Sequence, residues 1–259
     1  MSDPVLAGIL ASLIAGAATG IGGLALWFTG RPSLDQQKLM LGFAAGVMLA
    51  ASFFSLIIPG IEQAEAMGAS KAEAAGTLVA AVLLGAFVLS SIHRHLPVDH
   101  IALLGKPGAD PLNVKRIWLF VAAITLHNFP EGMAVGVSFG TGDFAAGTAT
   151  ATGIGLQNIP EGLAVAVSVL TLGYSRRTAF LIALGSGLVE PIGGTFGAGL
   201  AWLSAALLPW GLGFAAGAMI YVVATEIIPD TQRPQPSARA SHGLMIGLAA
   251  MMFLDVTLG

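Results

Sequence analysis

The chain has 259 residues, of which 55% are hydrophobic and 10% charged, and its formal net charge is −3. A mean hydropathy of +0.83 excludes an ordinary water-soluble domain. The small charge and the lack of a basic aromatic stripe exclude a nucleic-acid partner. With no cysteine, disulfides and thiolate ligands are excluded as well, so a metal site must use nitrogen, oxygen or thioether donors.

Apolar windows long enough to span a bilayer fall at about 4–28, 39–60, 73–92, 116–139, 145–171, 178–202, 207–229 and 242–258. They predict an all-α membrane protein with eight transmembrane helices in one domain, 1–259. No Lys or Arg precedes the first window, and it is too long for a signal-peptide core, so it reads as a retained helix. A connection over about 93–115 follows the third helix and carries His93, His95, Asp99 and His100. It reads either as a solvated loop or as loop metal binding by the three histidines. Connections after odd-numbered helices hold ten Lys and Arg residues, from Arg31 to Arg239, whereas those after even-numbered helices hold only Lys71. The positive-inside rule then places both termini on the non-cytoplasmic side.

The fourth and fifth helices repeat one another. Residues 124–138 and 154–168 share ten identities in fifteen, centred on His127-Asn128-Phe129-Pro130-Glu131-Gly132 and Gln157-Asn158-Ile159-Pro160-Glu161-Gly162. Neighbouring helices run antiparallel, so the two motifs are expected to face each other at the bilayer midplane. A second repeat has an offset of 171 residues: Gly42–Gly46 recurs as Gly213–Gly217, with Met48 matched by Met219. Together these predict a 3+2+3 inverted-repeat arrangement, two outer triplets flanking a central pair, a design common among secondary transporters. Glycine pairs four residues apart equally serve close helix packing.

Within each motif, residues three and four apart share one helical face, so His127 and Asn128 side with Glu131, and Gln157 and Asn158 with Glu161. Pro130 and Pro160 lack an amide hydrogen and release the carbonyls of Leu126 and Leu156, which suits a backbone lining a cation cavity. Glu190, near the centre of the sixth helix and before Pro191, adds a third central carboxylate. Three ionised groups at that depth cost on the order of 8–10 kcal/mol if uncompensated. Divalent cations or protons would offset this, since no Lys or Arg lies nearby in these helices. Oxygen donors alone suit Mg²⁺ or Ca²⁺, and an imidazole shifts preference toward zinc-like ions. The bland alternative is that these amides and carboxylates only hold helices together.

The paired His-Asn-x-Pro-Glu-Gly and Gln-Asn-x-Pro-Glu-Gly motifs on adjacent helices resemble those of the ZIP (Zrt/Irt-like) divalent-metal transporters, and most of all their bacterial GufA-type branch. The resemblance covers nearly the whole chain. It implies import of Zn²⁺ across a bacterial inner (plasma) membrane into the cytoplasm, with Cd²⁺, Fe²⁺ and Mn²⁺ as further substrates. It also implies a binuclear site holding two ions, elevator-like alternating access and a homodimer in lipid. By resemblance, His127, Glu131, Gln157 and Glu161 ligate one ion, with Met48 as a candidate thioether. Asn128, Glu131, Asn158, Glu161 and Glu190 ligate the second. Gln157 departs from the family, many of whose members carry a second histidine there. Glu226 reads as an exit residue or an interface side chain, and Asp255 as a relay or a paired structural carboxylate. Two other functions remain open: a proton- or sodium-coupled carrier that uses no transition metal, and an intramembrane metalloenzyme. Neither H-E-x-x-H nor a P-loop is present, which weighs against the enzyme and against direct ATP drive.

Overall fold

The computed structural model describes residues 3–29, 33–94, 111–232 and 237–258. Among these residues every regular element is helical. α1 spans Pro4–Thr29. α2 starts at Leu34 behind a capping box made by Ser33 and Gln36, and runs to Ala50. It continues through a wide π turn, Ala51–Ile57, into Ile58–Ala66. α3 is Lys71–Arg94 and α4 is Pro111–Gly140. α5, Phe144–Thr171, is capped by the Asp143 carboxylate, which accepts from the amides of Ala145 and Ala146. α6 comes in two pieces, Arg176–Gly187 and Glu190–Leu203. α7 runs Leu208–Val222, then through a π turn at Val223–Ile227 into Ile228–Thr231, and α8 is Ala238–Leu258.

Seven spans among the described residues are long and apolar enough to cross a membrane. The remaining window, 116–139, lies inside α4, whose His, Asn, Pro and Glu dilute its apolar character. Residues 111–115, expected within the connection 93–115, are helical; Pro111 fits the first turn because its missing amide hydrogen has no helical role there. His95 and His100 lie outside the described residues. Phe28, Phe87 and Phe253 are turned outward, as suits surrounding hydrocarbon.

Both π turns end just before an Ile-Pro pair, Ile58-Pro59 in α2 and Ile228-Pro229 in α7. A proline ring clashes with the carbonyl four residues back, and widening the preceding turn relieves that clash without ending the helix. In α6 the outcome differs. Pro191 follows Glu190 at the start of the second piece, and the chain turns at Leu188 and Val189 before the helix resumes.

Packing divides the helices into two groups. α1 lies against α4, α5 and both pieces of α6, and α4 lies along the second piece of α6. In the other group α2 packs along α8, and α3 along α7. The groups meet chiefly where α4 touches α7 and α2 touches α5. Each predicted outer triplet is therefore split, its first helix siding with the central pair and its other two with the second group.

Candidate metal centre

Backbone contact fixes the frame of the site. A Cβ built at Gly132 would fall on the carbonyl oxygen of Glu190, and one at Gly162 on that of Thr19. The glycine closing each motif thus lets α4 lie directly on the break in α6, and α5 directly on α1.

This frame brings the polar side chains together in the dry interior. Asn128, Glu131, Gln157, Asn158 and Glu190 are 0% exposed and Glu161 is 1% exposed. The amide of Gln157 donates to Glu131, so the two motif copies touch across the α4–α5 pair. Asn158 Nδ2 donates to Glu190 Oε1 at 2.6 Å and to the backbone oxygen of Ala15 at 2.8 Å. Both of its hydrogens are thereby used, and α5 is bound to the α6 break and to α1 together. Glu131 and Glu161 lie near enough to repel the carboxylate of Glu190.

The donor set is oxygen-rich. Gln157 Oε1, Asn158 Oδ1, Glu190 Oε2 and both polar atoms of Asn128 are buried without a hydrogen-bond partner. Orphaned buried acceptors are expensive, and a cation among them would satisfy several at once. No group of three His, Asp or Glu side chains among the described residues forms a metal cluster by itself. The amide oxygens of Asn128, Gln157 and Asn158 stand beside the carboxylates as candidate donors. Met48 is fully buried on α2, in the same core cluster as Met133 of α4 and Ile154 of α5. The side chains of His93, His127 and Glu226 lie outside the described residues, though their backbones are helical.

Asp255 sits in a different place. It accepts a hydrogen bond from Ser55 at 2.7 Å, and both residues line a cavity of about 440 Å³ together with Glu62, Ser138, Asp143 and Ala146. Sequence reasoning missed Ser55, inside the π turn of α2, and Glu62 and Asp143, which lie near helix ends where polar residues are common. It also missed the Ala15 carbonyl, which no sequence signal marks.

The Gln157–Glu131 contact yields a direct expectation. Gln157→His places an imidazole where the amide now stands, adding the nitrogen donor that borderline metals favour. Competition calorimetry should show tighter zinc binding and a larger preference for zinc over manganese. An unchanged preference would remove Gln157 from the ligand shell.

Long apolar helices around buried carboxylates and amides, two of them carrying a proline inside the cluster's own motifs and a third broken beside it, define a multi-pass membrane protein of the transporter class. The chain belongs to the ZIP family: the family model described as ZIP zinc transporter matches residues 111–255. Relatives extend this over the full length. The zinc transporter GufA of Myxococcus xanthus is 44% identical over 253 residues, covering 98% of this chain and 99% of that protein. Zinc transporter ZIPB of Bordetella bronchiseptica is 44% identical over 94% of this chain and 78% of its own length. Human zinc transporter ZIP11 is 34% identical over 88% of this chain and 91% of its own. Members of this family are named as transporters rather than enzymes.

Proposed function

We propose that this protein imports Zn²⁺ into the cytoplasm by alternating access, through a binuclear site between α4, α5 and the break in α6. The observation that carries this reading is the dry junction of the two motif copies, where Gln157 meets Glu131 and Asn158 meets Glu190. Buried carboxylates need a compensating positive charge, and among the described residues the only buried basic side chain is Lys38, near the start of α2. A divalent cargo supplies that charge. His127, Glu131, Gln157 and Glu161, with Met48, would hold one ion. Asn128, Asn158 and Glu190, with the two bridging glutamates, would hold the other. The names of the relatives support zinc as the cargo. Cd²⁺, with Fe²⁺ and Mn²⁺, would follow as softer or similarly sized substitutes.

The two packing groups support an elevator-like motion. α1, α4, α5 and α6 would carry the metal past α2, α3, α7 and α8, exposing the site to each side in turn. By the loop charges the 440 Å³ cavity would lie on the outer side, and metal would approach past Glu62, Asp143 and Asp255. By the same charges both termini would lie outside the cytoplasm, and the family resemblance would put the protein in the inner membrane. A homodimer would suit the family resemblance.

Purified protein in vesicles should take up zinc down its gradient without ATP. Sodium flux without zinc uptake would overturn the reading in favour of an ordinary cation-coupled carrier.

A further inference from the structure

We propose that Ser138 and Thr150 form a hydroxyl step between the outer cavity and the carboxylate cluster, where an incoming zinc ion exchanges water for protein oxygen. This inference rests on the transport reading above and names residues outside its ligand set.

Ser138 lies seven residues beyond Glu131 on α4, and Thr150 seven residues before Gln157 on α5. Seven residues make nearly two helical turns, so each hydroxyl stands on the face of its motif partner, about 10 Å further along the helix. Because the helices are antiparallel, both displacements run in the same direction, toward the cavity. The two side chains meet there: Thr150 Oγ1 lies 3.4 Å from Ser138 Oγ and 3.0 Å from the backbone oxygen of Ala146. Ser138 and Ala146 are themselves part of the cavity wall. Thr150 is 0% and Ser138 3% exposed, so the pair occupies the dry floor between the acidic mouth and the metal ligands.

The internal repeat sharpens the point. The counterpart of Ser138 in the second motif copy is Ser168, but the counterpart of Thr150 in the first is Phe120. Phe120 packs into the apolar clusters at the opposite end of the pair. A double hydroxyl thus stands at the cavity end alone, where the repeat would equally have tolerated a hydrocarbon side chain. Stripping a divalent ion of its water in a single step is costly, and pores ease such passage by offering oxygens in sequence. A hydroxyl suits that role because it is neutral: it can take the place of a water without holding the ion.

The test uses zinc uptake into vesicles with Thr150→Val, Ser138→Ala and Thr150→Ser, alongside equilibrium zinc binding by calorimetry. Thr150→Val keeps side-chain shape and removes the oxygen. It should lower uptake at subsaturating zinc about fivefold, the effect of one lost polar contact, with binding affinity unchanged. Ser138→Ala should act in the same direction, and Thr150→Ser should retain wild-type uptake. Wild-type uptake by Thr150→Val overturns the step. So does an equal loss of binding and uptake that serine fails to rescue, which marks a packing role. Wild-type zinc uptake and its loss in Glu131→Ala are measured in the same vesicles. Failure there defeats the transport reading itself, and success there with an indifferent Thr150→Val defeats only the step.

Discussion

Glu131→Ala and Glu161→Ala are each expected to reduce zinc uptake to background while the protein still inserts and elutes as the native species. Each change removes a carboxylate from a different helix of a fully buried cluster. Truncating one partner of a buried charged contact costs about 2–5 kcal/mol of binding, equivalent to about thirtyfold or more. Insertion should not suffer, because a central ionised side chain itself opposes insertion by roughly 2.5–3.5 kcal/mol. Loss of metal handling and retention of fold thus point in opposite directions, which separates this result from simple misfolding. Normal transport by both variants would rule out the motif glutamates as ligands.

Gly132→Val is expected to lower both thermal stability and uptake, and Gly162→Val to behave alike. At each position the first added carbon meets a backbone carbonyl, of Glu190 or of Thr19, which cannot rotate away as a side chain could. Overpacking costs about 1–3 kcal/mol even where side chains can adjust, and backbone contact should lie at or beyond the upper end. At Gly132 the relief available is to push α4 off the α6 break, which separates Glu131 from Glu190. A methyl group added at Gly76 on α3 would meet nothing within 4 Å, so Gly76→Ala serves as the control and should leave both properties intact. Thermal unfolding in detergent and zinc uptake in vesicles check all three. Native stability in Gly132→Val would show that the α4–α6 contact is not needed.

Much of the candidate site was legible because helical spacing is a strong constraint. Residues three and four apart share a face, so Asn128 with Glu131, and Gln157 with Glu161, could be grouped before any coordinates. The near-identity of 124–138 with 154–168 implied that the copies meet, and the Gln157–Glu131 hydrogen bond is such a meeting. Helix pairing was less legible. Glycines occur throughout a chain of this kind, and nothing in the spacing of Gly132 or Gly162 says whose carbonyl each will meet. The π turns were only half legible, since Pro59 and Pro229 mark a strained turn but do not say whether it widens, as here, or breaks the helix, as beside Pro191. Ser55 and Asp255 are 200 residues apart in the chain, so only the folded arrangement reveals their hydrogen bond.

The seam between the two helix groups, combined with the lack of any native thiol, makes the molecule its own blank for chemical tethering. Single cysteines introduced in pairs across α4 and α7, or across α2 and α5, would have no background to subtract. A tether locking that seam should freeze cargo delivery, whereas one placed within a group, between α3 and α7 for instance, should leave turnover running.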